Sequence, residues 1–177
     1  MIDNREENIK TLVIHPKDSS TDFLKEIYCE NDWNTVDTKR FHGTDLISII
    51  ESYERIVMLG HGTPAGLLGN SSYIINSDFI SALRKKPCVS IWCNADRFCV
   101  PANIKGFYTG MIISEVGEAL YCGVDATQAE VDYSNMLFSY AIKKAIVGKD
   151  MLKIAKELYT SDVNPVIKYN MKNLYFR

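Results

Sequence analysis

Ile56-Val57-Met58-Leu59-Gly60-His61-Gly62 is an apolar, β-branched run that ends in a histidine set between two glycines. A second run, Cys88-Val89-Ser90-Ile91-Trp92-Cys93-Asn94, has the same form and ends in a cysteine. Runs this short and this apolar read as strands buried on both faces, the signature of a parallel sheet covered by helices. Between them the sequence predicts a helix, with Ser77 as its cap, Asp78 in its first turn, Arg84-Lys85-Lys86 in its last and Pro87 as its stop. Strands joined by one crossover helix lie parallel, and here they bring the histidine and the cysteine to the same sheet edge.

Working outward, residues 11–15 form a β-branched first strand closed by Pro16. A helix follows, with Phe23, Leu24, Ile27 and Tyr28 at helical spacing, Ser20 or Thr21 as its cap and an end near residues 30–31. Residues 35–39 read as a second strand, and a helix opening at Gly43-Thr44-Asp45 places Leu46, Ile49, Ile50 and Tyr53 on one face. Beyond His61, residues 65–69 and 73–75 suggest a small hairpin over the loop. The chain then reads as a loop at 97–105, a fifth strand at 107–114, helices at 127–146 and 151–159, and a sixth strand at 165–169. This alternation predicts one α/β domain spanning 1–177, a three-layer α/β/α sandwich around a mainly parallel sheet of about six strands.

Bulk composition narrows the function. The 177 residues are 46% hydrophobic and carry 20 basic against 22 acidic side chains, with neither sign gathered into a block. Binding to nucleic acid through bulk charge is therefore not expected. The polar start lacks a signal-peptide pattern, and no apolar run nears the roughly 18 residues of a membrane span, so a cytoplasmic location is the expectation. Five cysteines without metal-ligand spacing read as reduced thiols, and no metal site is expected.

A thiolate is a strong nucleophile and an imidazole titrates near neutrality, so a His61–Cys93 pair can perform acyl transfer without metal or cofactor. The amides of Gly62 and Cys93 could hold the oxyanion of a tetrahedral intermediate. Each half also has a plainer reading: His61 in an ordinary glycine-rich turn, Cys93 as a packing thiol. Asp96, Arg97 and Ser114 follow or flank the cysteine, either lining a specificity pocket or standing as solvated strand-end residues. His15 and His42 have no partner at metal-ligand spacing.

The two blocks Met58-Leu59-Gly60-His61-Gly62 and Ser90-Ile91-Trp92-Cys93-Asn94 resemble the motifs of the caspase-like clan CD cysteine peptidases. That family includes caspases, metacaspases, gingipains, separase and the bacterial CHAT domains, and the CHAT domains look nearest. The likeness covers residues 12–169. It implies that Cys93 attacks a peptide carbonyl to form a thioester while His61 orients or accepts a proton, with no cofactor and no obligatory third carboxylate. A peptide or protein substrate follows, and a protein activator or assembly partner is compatible with the small size. Trp92 stands where the family has a small residue. Arg40-Phe41-His42-Gly43-Thr44-Asp45 is similar to the caspase segment whose arginine recognises acidic substrates, with its arginine one place out of register. Arg40, on the resemblance, and Asp96 and Ser114, by their place beside the cysteine, are the substrate-binding candidates.

Two other functions compete. An inactive caspase-like binding or regulatory module would keep the fold without the reaction, and Trp92 favours it. A Rossmann-like small-molecule-binding protein would use Gly60-His61-Gly62 as a turn beside a phosphate, although neither a Gly-x-Gly-x-x-Gly fingerprint nor a Gly-Lys-Ser/Thr phosphate loop is present.

Overall fold

The central strands are buried at every position and mostly apolar, because both of their faces are covered. In β1 (Thr11–Ile14), Leu12 and Ile14 enter one core cluster while Val13 enters another. The same alternation splits Ile56 and Met58 from Val57 and Leu59 further along the chain. A computed structural model describes residues 9–36, 43–69, 71–148 and 150–177.

In chain order, β1 is followed by a 3-10 helix (Ser19–Ile27), β2 (Asn34–Thr35), α1 (Gly43–Glu51) and β3 (Arg55–Leu59). Three short strands come next, β4 (Gly62–Thr63), β5 (Gly66–Leu68) and β6 (Tyr73–Ile75), and then a 3-10 turn (Ser77–Phe79) running into α2 (Ile80–Leu83). The remainder is β7 (Cys88–Ile91), α3 (Ala95–Cys99), β8 (Gly106–Thr109), α4 (Val116–Tyr121), α5 (Gln128–Ala145), α6 (Met151–Leu158), α7 (Pro165–Met171) and β9 (Leu174–Phe176). The main sheet runs β2-β1-β3-β7-β8-β9, parallel except for β9, which pairs antiparallel with β8. A second, antiparallel sheet of β4-β5-β6 grows from the end of β3.

One core cluster packs α1, α2 and α3 side chains such as Leu46, Ile50, Leu83 and Phe98 against one sheet face. The other packs Leu24 and Ile27 of the 3-10 helix with Phe138, Ile142 and Ala155 of α5 and α6 against the opposite face. The result is the expected α/β sandwich with six strands in its main sheet, joined by a small antiparallel sheet. Among the described residues, no helix is long and apolar enough to cross a membrane.

Several local expectations are corrected. Residues 165–169 are helical: the Asn164 side chain accepts from the amides of Val166 and Ile167, and Pro165 occupies the first turn, where it loses no bond. The sixth strand is instead β9, at the very end of the chain. The first helix is of the tight 3-10 type, and its cap is Asp18, whose carboxylate accepts from the Ser20 amide. Asn76, not Ser77, caps the segment before α2. Residues 97–99 of the expected loop belong to helix α3, and the fifth strand stops at Thr109. The second strand is only Asn34–Thr35, and residues 37–39 of its expected span lie outside the described residues.

Candidate active site

The parallel pairing of β3 with β7 brings Leu59 opposite Ile91, so His61 and Cys93 each lie two residues past a paired position. The Gly60 amide donates to the Ile91 carbonyl at 3.1 Å, holding the strand ends together for one further step. Gly60 then turns with φ +141°, a region that favours glycine. Gly62 is glycine for a different reason. A Cβ there would lie 2.1 Å from Trp92 Cδ1 and 2.7 Å from the Gly66 carbonyl oxygen.

Trp92 is fully buried beneath that glycine and donates from Nε1 to the Thr63 carbonyl at 3.2 Å. Its backbone is clasped by Thr109, whose hydroxyl accepts from the Trp92 amide and donates to the Trp92 carbonyl at 2.8 Å. The indole belongs to one core cluster and Cys93 packs against the other. The large residue before the cysteine thus points away from it and anchors the small sheet to the end of β7. Asn94 adopts the left-handed conformation at φ 64°, which asparagine tolerates, and the chain enters α3 at once.

Cys93 is half-buried and its thiol already has acceptors. Sγ lies 3.5 Å from the Ile112 carbonyl and 3.6 Å from Glu118 Oε1. The other oxygen of Glu118 accepts from the amide and hydroxyl of Ser114 at 2.7 and 2.9 Å, which fixes the carboxylate against the sulfur. Burial, and after it the Glu118 charge, push the Cys93 thiol up to about 12. At rest it is a neutral thiol.

His61 is held from the other side. Its Nε2 lies 2.6 Å from Ser20 Oγ, which in turn lies 2.7 Å from Asp18 Oδ1, and Asp18 Oδ2 is 3.8 Å from the same nitrogen. Hydrogen bonds from the Ser20 hydroxyl and amide hold the Asp18 carboxyl below its usual range, with His61 adding to the effect. Asp18 and Ser20 follow β1, and His61 follows β3. The chain leaves β1 for β2 on one side and returns to β3 on the other, so these loops flank the topological switch point, the crevice where open α/β sheets bind ligands. A cavity of about 370 Å³ there is lined by Pro16, Lys17, Asp18, His61, Leu68 and Gly69.

No hydrogen bond joins His61 to Cys93 among the described residues; each side chain is engaged by its own neighbours. Among the described residues, two backbone donors at the site are uncommitted. Among the described residues, no acceptor meets the Cys93 amide, although the flanking Trp92 and Asn94 amides both have partners. The Leu68 amide donates to the His61 carbonyl, so Gly62 and Leu67 form a non-hydrogen-bonded pair and the Gly62 amide faces away from β5.

Ser114 lines, with Ser20, a cleft of about 670 Å³ between the 3-10 helix and α5. Asp96 lies elsewhere. Its charge acts on Cys99 and Tyr108, which belong to the opposite core cluster from Cys93's surroundings, and one of its carboxylate oxygens is buried without a partner among the described residues. Arg97 lines a separate cavity with Arg84 and Phe98. Arg40 lies outside the described residues.

Sequence reasoning missed Asp18, Ser20 and Glu118. Ser20 was legible only as a helix cap, although any loop after β1 meets the loop after β3 when the strand order is 2-1-3. Among the described residues, no group of three His, Cys, Asp or Glu side chains is placed to hold a metal ion. The chain matches no family model and no curated protein.

Proposed function

We propose that this chain is a caspase-like cysteine peptidase in which Cys93 is the nucleophile and His61 carries the proton. The observation that supports it most is the register of β3 on β7, which delivers both reactive side chains and two uncommitted amides to one sheet edge. In the reaction, Cys93 passes its proton to His61 as sulfur bonds the scissile carbonyl carbon, and the Gly62 and Cys93 amides hold the oxyanion. Collapse breaks the carbon–nitrogen bond, and His61 returns the proton to the leaving amine. Water, giving a proton to His61, then cleaves the thioester and restores the thiol.

The cleft lined by Ser20 and Ser114 touches the residues that hold His61 and Glu118, and it is where a peptide would lie. Before attack, the Cys93 side chain must rotate away from Ile112 and Glu118. Five free thiols suit a reducing compartment such as the cytoplasm.

The test is a fluorogenic peptide library together with an acyloxymethylketone probe, applied to the full chain and to its Cys93→Ser and His61→Ala variants. Hydrolysis and labelling at Cys93, both lost in each variant, support the reading. Absence of any hydrolysis, with labelling that ignores His61, removes it. One observation favours the second reading, a non-catalytic caspase-like binding module: the thiol is held neutral against Glu118 rather than against His61. That reading expects only slow, His61-independent labelling.

A further inference from the structure

The contact between His61 and the loop after β1 fixes more than the position of the imidazole. Ser20 has a single hydroxyl hydrogen and two close neighbours, Asp18 Oδ1 at 2.7 Å and His61 Nε2 at 2.6 Å. An ionised carboxylate can only accept. If the Ser20 hydrogen pointed at His61, two oxygens 2.7 Å apart would face each other with no hydrogen between them. The hydrogen therefore goes to Asp18, and the Ser20 lone pair accepts from His61 Nε2–H. A neutral imidazole carries one N–H, so Nδ1 is left with its lone pair.

From this geometry we infer that Asp18 and Ser20 are positioning residues that fix neutral His61 as the Nε2–H tautomer and present Nδ1 as the basic nitrogen. β3 lies between β1 and β7, and His61 Nε2 is the nitrogen tied to the loop after β1, which leaves Nδ1 free of that contact and available to Cys93 at the end of β7. The same assignment denies Ser20 a nucleophilic role, because its proton is on the carboxylate side and the imidazole offers it no lone pair. The inference deepens the peptidase reading, resting on His61 as its proton carrier, and its test is separable from that reading.

Two-bond proton–nitrogen spectra of the uniformly 15N-labelled full chain read the tautomer directly, with His61→Gln identifying the signal among three histidines. The wild type is expected to show Nε2–H. Ser20→Ala and Asp18→Ala are expected to give a tautomer mixture, and Ser20→Thr, which keeps the hydroxyl, to restore the wild-type pattern. Asp18→Asn, whose Oδ1 still accepts from the Ser20 amide and hydroxyl, keeps the cap and is expected to keep the wild-type tautomer, which separates loss of the acceptor from loss of the fold. In peptide hydrolysis, Ser20→Ala and Asp18→Ala should lower kcat about 10- to 100-fold at unchanged KM, with rescue by Ser20→Thr.

An Nδ1–H tautomer in the wild type, an unchanged tautomer in both alanine variants, or covalent capture of Ser20 by a fluorophosphonate overturns the inference. A wild type that cleaves no peptide yet shows the expected tautomer pattern overturns the peptidase reading and leaves the tautomer assignment standing.

Discussion

Replacing Glu118 by Gln should make Cys93 more reactive, not less. With a pKa of about 12, the thiol is ionised at pH 7 in only about one molecule in 10⁵. Burial is the larger cause and survives the substitution; the Glu118 charge, 3.6 Å from the sulfur, is the second and does not. A like charge at this range accounts for about one to two pH units in a partly buried group. The thiolate fraction then rises about 10- to 100-fold, and the lower basicity gives back roughly half of that on a logarithmic scale, so net reaction with a disulfide reagent speeds up about 3- to 10-fold. The assay is time-resolved labelling with an aromatic disulfide at pH 7, read peptide by peptide, with exposed Cys29 as the internal reference. Gln can still accept from Ser114, so the local fold is retained. A Cys93 rate that stays the same or falls relative to Cys29 would refute the argument that the carboxylate holds the thiol in its neutral form.

Two further outcomes follow from the surrounding structure. His15, hydrogen-bonded to the Tyr28 and Thr21 hydroxyls, is pushed down from its ordinary value of 6.5 to about 4, by burial first and then by Lys25. The unfolded chain thus binds more protons between those limits, so the contribution of His15 is complete above pH 6.5 and is lost as pH falls towards 4. After allowance for partial solvent screening this is about 2 kcal/mol, and urea midpoints across that range should show a slope that His15→Gln reduces. At the other end of the fold, Thr127 and Glu130 form a reciprocal capping box at the start of α5. Thr127→Ala should cost about 1 kcal/mol and lower Tm by about 2–4 °C in a thermal scan.

The strands were legible because an apolar run with no polar face admits few readings, and α5 was legible because a capping box and a broad apolar stripe agree on its limits. Residues 165–169 misled because Val166 and Ile167 favour strands by propensity. The decisive signal was one residue earlier, where Asn164 and Pro165 open a helix. His61 and Cys93 announced themselves at the ends of their runs. Their partners did not, because Ser20 lies 41 residues from His61 and Glu118 lies 25 from Cys93, and each contact needs an intervening strand to fold back before it exists. Arg40 and Ser114 were chosen by motif and by flank. The structure gives Ser114 a definite task in holding Glu118, and it places Asp96 with the opposite core cluster.

Trp92 links the stability of the fold to the geometry of the site. Its ring fills the space below Gly62, its Nε1 ties down the Thr63 carbonyl, and its amide and carbonyl are clasped by Thr109 immediately before Cys93. The two uncommitted amides therefore belong to residues on either side of one rigid wedge. Trp92→Ala removes the wedge and should cost about 3–5 kcal/mol, since a buried cavity of indole size cannot close fully. Trp92→Phe keeps most of the volume and loses the bond to Thr63, a cost of about 1–2 kcal/mol. Under the proposed peptidase reading, if the wedge matters only for stability, the Phe variant, assayed well below its melting temperature, should cleave peptides at the wild-type rate. If it sets the spacing of the Gly62 and Cys93 amides, as the packing argues, the Phe variant should lose kcat while keeping KM, because the oxyanion forms only in the transition state. An unchanged kcat in a folded Trp92→Phe protein would separate the indole from the chemistry and assign it to the fold alone.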